Sequence, residues 1–211
     1  MPWSLEADRI PDDIRCCPAM ADPDVENDSC TITDYDGSCI DSCDANTLCV
    51  LDDIETLSGQ CRKFCNPAAS ECDADDTCKT FFELLPGAPN VPLCMDKCDP
   101  LLQDCSLPTW HCIPDSPTVA GQSGFICVSP PPQEPVGIFE QCFLANDCEK
   151  GLVCVSAGRV PDCPDTPCCT AYCDLADGDA SCQAIDPGVS CVDWMSPDPE
   201  WEHVGVCAIP E

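Results

Sequence analysis

Apolar residues in this chain come in short runs of two to four, and most of these runs abut a cysteine. Val91-Pro92-Leu93-Cys94, Gly124-Phe125-Ile126-Cys127 and Val204-Gly205-Val206-Cys207 each end on one. Further back toward the N-terminus lie Phe81-Phe82 and Val192-Asp193-Trp194, with Pro86-Gly87, Asp115-Ser116-Pro117 or Ser196-Pro197-Asp198-Pro199 between the paired runs. Strand-forming residues around turn-formers predict β-hairpins. Helical periodicity is scarce, with a single turn expected over Asp52–Leu57.

Cysteine spacing turns these hairpins into units. A long unit is expected three times: Cys65, Cys72, Cys78, Cys94; Cys98, Cys105, Cys112, Cys127; and Cys173, Cys182, Cys191, Cys207. A short unit is expected twice, Cys39, Cys43, Cys49, Cys61 and Cys142, Cys148, Cys154, Cys169, the second with an extra pair, Cys163 and Cys168. C-x-x-x-C joins neighbours at Cys61/Cys65, Cys94/Cys98 and Cys169/Cys173. Four cysteines allow three pairings per unit. First-to-third with second-to-fourth is preferred, because interlocked bridges fix two loops at once. The map is an acidic N-terminal segment of uncertain order (1–38), a block of three units (39–127), a Pro-rich linker (128–141) and a block of two (142–211). The expected fold class is small, disulfide-rich, mostly β-hairpin and loop, elongated, with little helix.

Composition says why sulfur must hold the fold. Leu, Ile, Val and Phe together make just under a fifth of the 211 residues, and the formal charge is −31. Such a chain buries too little apolar surface to fold around an ordinary core. With 25 cysteines and neither C-x-x-C nor C-x-C, disulfides are the expected remedy, and zinc knuckles or thiolate clusters are disfavoured. Disulfides imply an oxidising compartment, so the chain is expected to be secreted or at the cell surface, although Met1–Glu6 does not read as a signal peptide. The longest strongly apolar stretch, around Phe81, Phe82, Leu84 and Leu85, is too short to span a membrane. The odd cysteine total leaves Cys16, Cys17 and Cys30 over. One of the adjacent pair is expected to reach Cys30, with an intermolecular disulfide open to Cys16 or Cys17.

The stretch from Cys142 through Phe143, Leu144, Ala145, Asn146, Asp147, Cys148 and Gly151 to Cys154, continuing to Cys168-Cys169, resembles the short modules of the Dickkopf and colipase type. It is similar also to disintegrin-like, cysteine-rich exported proteins common in myxobacteria, a group with no established activity to carry over. The resemblance spans residues 39–207 and rests on cysteine spacing and a few glycines.

Eight basic residues against 39 acidic ones exclude nucleic acid as a natural partner. The acidity fits solubility or a salty medium; cation binding or a basic partner is the alternative. Calcium is the one cofactor considered, with Asp174, Asp177 and Asp179 as its first ligands, beside the weaker Asp34-Tyr35-Asp36-Gly37 and Asp73-Ala74-Asp75-Asp76. No catalytic residues are expected. His111 and His203 lie outside any catalytic or metal motif, and the chain lacks the parallel strand–helix alternation of a (β/α)8 sugar-phosphate epimerase. Asn27-Asp28-Ser29 is a glycosylation sequon, and Trp110, Trp194, Trp201 and Phe81/Phe82 are either partner anchors or module cores. The functional expectation is a non-catalytic adhesion, recognition or envelope-associated protein, its protein or envelope partner unknown. A secreted inhibitor or toxin-like effector, presenting the Cys154–Cys168 insertion, is one alternative. A thiol-rich metal-binding protein is the other.

Overall fold

The structure is a computed structural model describing residues 2–3, 13–14, 21–33, 41–53, 55–69, 71–81, 91–115, 124–130, 133–194 and 199–210. The fold is small, disulfide-rich and built of short antiparallel sheets. Strands β1 (Pro2–Trp3) and β2 (Asp13–Ile14) pair with each other. β3 (Ser29–Thr31), β4 (Thr47–Asp53) and β5 (Ser58–Lys63) form a sheet in the order β3-β5-β4. β6 (Asp76–Phe81) pairs with β7 (Val91–Asp96), and β8 (His111–Pro114) with β9 (Phe125–Val128). β10 (Leu152–Val155), β11 (Cys168–Asp174), β12 (Ser190–Asp193) and β13 (Val204–Ala208) make a four-stranded sheet, β10-β11-β13-β12. Among the described residues the one α-helix is α1, Ala180–Ile185. Asp52–Leu57 is not helical: β4 runs to Asp53, whose carboxylate accepts the amides of Glu55 (2.8 Å) and Thr56 (3.2 Å) to close a hairpin turn.

Eleven disulfides join the described cysteines. Ten form five crossed pairs: 30–49 with 43–61, 65–78 with 72–94, 98–112 with 105–127, 142–154 with 148–169, and 173–191 with 182–207. Each links first to third and second to fourth cysteine, with Cα atoms 5.1–5.9 Å apart, inside the ordinary range. The eleventh, Cys163–Cys168, closes the insertion of the fourth module. Loops of 12 to 25 residues close in this way, each worth roughly 3 kcal/mol, chiefly by restricting the unfolded chain.

One register recurs in all five modules. The residue before the first cysteine pairs antiparallel with the residue before the fourth: Ser29 with Gln60, Phe64 with Leu93, Lys97 with Ile126, Gln141 with Cys168, Tyr172 with Val206. The third and fourth cysteines then face each other across the hairpin, Cys49/Cys61, Cys112/Cys127, Cys154/Cys169 and Cys191/Cys207. Although opposite, they are not bonded to one another; the third bonds the first cysteine and the fourth bonds the second. The four sulfurs therefore gather at one rung, with three of them within 4.8 Å of one another in every module.

This register corrects the first module. Its first cysteine is Cys30, not Cys39, because Ser29 lies opposite Gln60 and Cys30 bonds Cys49. Cys30 is thus unavailable to Cys16 or Cys17, and those two, with Cys39, lie outside the described residues. Residues 24–32, assigned by sequence to the N-terminal segment, belong to this module: Asp24 bridges Cys43, and Ile32 bridges Asp41 and donates to Leu57.

Two compact units result, Met1–Met95 and Asp96–Glu211. In the first, Cys30, Ile32, Cys43, Cys49 and Cys61 form one small core and Cys65, Cys78 and Cys94 another. In the second, the module 98–127 joins the fifth module through an aromatic cluster. Buried Phe125 packs edge-on against Tyr172 (5.7 Å) and Trp201 (5.3 Å), with Trp194 tilted at 6.3 Å. The Pro-rich stretch is tied down as well. Ser129 accepts from Asn146, and Val136 bridges Cys148, giving its amide to Asp147 and taking that of Glu149. Cystines and a few aromatics add to the burial that the sparse Leu, Ile and Val side chains provide.

Candidate recognition loops

Fixing the rung leaves the loop from first to second cysteine free to vary. In the third and fourth modules its closure follows one plan. The residue before the second cysteine is an aspartate that turns back to accept the amide just after the first cysteine. Asp104 accepts from Asp99 at 2.8 Å. Asp147, itself buried, accepts from both Phe143 and Leu144, each at 2.8 Å, while its own amide donates to the Leu144 carbonyl. A charged acceptor strengthens such bonds. The two sequences are Cys98-Asp99-Pro100-Leu101-Leu102-Gln103-Asp104-Cys105 and Cys142-Phe143-Leu144-Ala145-Asn146-Asp147-Cys148. Gln103 adds further closure, holding left-handed backbone (φ 53°) while its amide group bonds Pro100 and both the N–H and C=O of Cys112.

These loops display the two most exposed large apolar side chains among the described residues, Phe143 (76%) and Leu102 (71%). Leu144 beside Phe143 is also exposed. By contrast, the aromatics singled out from sequence are core: Trp110 and Trp201 are buried and Trp194 is half-buried against Phe125. Phe81 and Phe82 have side chains outside the described residues. Sequence reasoning passed over Phe143 and Leu102. The signal that could have found them is an apolar residue in a short inter-cysteine loop that ends in Asp-Cys.

The insertion 155–167 is pinned at several points, with 156–158, 162, 164 and 165 exposed between them. Val160 is buried, the Gly158 amide bonds the Cys163 carbonyl, and the Ile209 amide bonds that of Arg159 at 2.7 Å.

Two of the three candidate calcium carboxylates are engaged locally, and the third, Asp177, is exposed at the end of the 3-10 turn. Asp174 caps the 3-10 turn Leu175–Asp177 through the Ala176 amide (2.8 Å), and Asp179 accepts from Cys191 (2.9 Å). Among the described residues, the groups of three ligand atoms lying within 4.8 Å are all cysteine sulfurs, and those sulfurs are bonded as disulfides. Asp34, Asp36 and Gly37 lie outside the described residues. Asn27 of the sequon is exposed on left-handed backbone (φ 69°), its side-chain oxygen held by Arg62 at 3.2 Å.

Two buried basic side chains mark electrostatic cost. Burial pushes Lys79 down to about 8. Burial, aided by the Lys150 charge, lowers His111 from its ordinary value, opposed by a bond to the Cys148 backbone. Lys150 in turn donates to the Pro108 carbonyl at 2.9 Å, so His111 and Lys150 tie the third module to the fourth. His203 lies beside Trp201, 6.4 Å between ring centres.

No family model, curated protein or solved structure matches this chain. Among the described residues, no helix is long and apolar enough to cross a membrane.

Proposed function

We propose that the chain is a non-catalytic recognition or adhesion protein of the cell exterior, acting through the loops between its first and second cysteines. One observation carries this reading: closed, disulfide-anchored loops in two successive modules hold large apolar side chains out in water. Exposing Phe143 costs solvation free energy that the module could avoid by burying it, and contact with a partner recovers that energy. Rigid presentation also lowers the entropy lost on docking. The density of disulfides suits an oxidising exterior, and the resemblance to exported cysteine-rich proteins agrees with it.

The alternatives have less behind them. An inhibitor using the 154–168 insertion would need exposed, extended chain where Val160 is buried. A thiol buffer would need free thiolates where the described cysteines are bridged.

The test is saturable binding of the fluorescently labelled, oxidised full chain to intact cells of the organism that makes it, alongside recovery of the native protein from the extracellular or envelope fraction. Binding that saturates, and that disappears after reduction and alkylation, supports the reading. Equal binding by the reduced chain, or confinement of the protein to the cytosol, overturns it.

A further inference from the structure

We infer that Phe143 and Leu144 are the primary contact of this chain with its partner, and that the partner is a protein with an apolar pocket rimmed by Lys and Arg side chains. This rests on the recognition reading above and adds the place and chemistry of the contact.

The loop is built to hold its shape. Its end residues, Cys142 and Cys148, are 0% and 1% exposed and carry separate disulfides, to Cys154 and Cys169. Between them the Asp147 carboxylate takes two consecutive amides, those of the two displayed residues themselves. The backbone beneath Phe143 and Leu144 is therefore ordered before any partner arrives, which is how anchor residues at interface centres gain affinity. Neighbouring Ala145 and Asn146 are half-buried, and Asn146 is held by Ser129. The apolar surface is thus a narrow two-residue edge, the shape of a plug for a pocket rather than of a sheet for a flat contact.

Charge selects the partner. Residues 96–211 carry 19 acidic and three basic side chains. Of the basic three, Lys97 and Arg159 are engaged within the molecule, and Lys150 is bonded to Pro108. Glu140 and Glu149 stand exposed on either side of the loop in sequence. An apolar tip in an acidic field is complementary to an apolar pocket in a basic field. The same field repels anionic lipid and nucleic acid.

The test has three arms, each on the oxidised full chain with bridging verified by intact mass. The first compares a matrix bearing benzyl-trialkylammonium groups, a ring joined to a fixed cation, with one bearing quaternary ammonium alone. The wild type is expected to stay on the first at a salt concentration that elutes it from the second. The double substitution Phe143→Ser/Leu144→Ser is expected to elute from both together, while Ile209→Ser and Val25→Ser, at exposed apolar residues outside these loops, behave as wild type. If either control substitution abolishes the difference as fully as the double one, the loop is not the primary contact.

The second arm is cell binding. Serine at 143 and 144 is expected to weaken it at least about tenfold, the ordinary loss on truncating an interface anchor, and added salt to weaken the wild type. Wild-type binding left unchanged by the double substitution sinks this inference but leaves the recognition reading standing. No wild-type binding at all sinks the recognition reading itself. In the third arm, co-sedimentation of the wild type, but not the double variant, with phosphatidylglycerol–phosphatidylcholine vesicles would overturn the protein pocket in favour of lipid. Absence of co-sedimentation supports the pocket.

Discussion

The first-to-second cysteine loops of the fourth and fifth modules share ends and differ in everything between. Both are held by crossed disulfides at a four-sulfur rung. In the fourth, Asp147 precedes the second cysteine and folds the loop back, so that Phe143 and Leu144 face water. In the fifth the equivalent residue is Ser181, and the chain instead coils. A 3-10 turn capped by Asp174 ends at Gly178 (φ 68°) and leads into α1, which carries Cys182 into the core. Its exposed residues, Ala176 to Ser181, are small or acidic. The disulfide frame thus fixes where a loop starts and stops. What the loop shows to water is decided by side chain-to-backbone bonds within it.

The sharpest way to break this comparison is to remove the frame from one side. Cys148→Ser/Cys169→Ser opens a loop of 21 residues and should cost roughly 3–4 kcal/mol. Limited proteolysis should then cut the fourth module first, and the same change at Cys182/Cys207 should expose the fifth instead. Cleavage spreading evenly through both would show that the modules are not separately framed.

Next in size is the carboxylate. Asp147→Ala leaves two amides without their charged acceptor and should cost about 1–3 kcal/mol, whereas Ser181→Ala should stay within about 0.5 kcal/mol. Equal thermal shifts for the two would refute the division of labour between frame and loop. A comparable loss is expected from Gly205→Ala in the fifth module. A Cβ there would stand 2.8 Å from the Cys191 sulfur and 3.1 Å from that of Cys173, an overpacking of about 1–3 kcal/mol.

The smallest effect is that of acid. His111 binds its proton less readily in the folded chain than at its unfolded value of 6.5, because it is buried. Stability from this group is therefore complete above pH 6.5 and declines as pH falls below it toward the depressed folded value. Amide exchange at the contact between third and fourth modules should rise over that interval, and His111→Gln should flatten the dependence.

Much of this architecture was legible in the residues. The runs ending on Cys94, Cys127 and Cys207 became strands β7, β9 and β13, since β-branched and aromatic residues beside a bridged cysteine suit a half-buried hairpin. The first module was misread for a local reason. Cys39 and Cys43 imitate the C-x-x-x-C spacing that elsewhere marks a junction, and the longer reach from Cys30 to Cys43 hid the true start. The pairing of Ser29 with Gln60 and the Cys30–Cys49 bridge, contacts distant in sequence, reveal it. The tryptophans were left open between anchor and core because loop aromatics look alike in sequence. Trp110 and Phe143 both sit in cysteine-bounded loops, yet one is fully buried and the other 76% exposed. That outcome depends on what the folded module packs against each side chain, and spacing does not encode it.

The crossing of the bridges bears on how the chain carries load. A pull between Cys142 and Cys169 runs along the backbone from Cys142 to Cys148 and out through sulfur to Cys169, with a second route through Cys154 beside it. Six residue steps transmit the tension in place of 27, and the remaining contour is slack that stretching does not release. Each of the five modules has the same crossed bridges, so within each one the span from first to fourth cysteine is capped by covalent bonds rather than by packing.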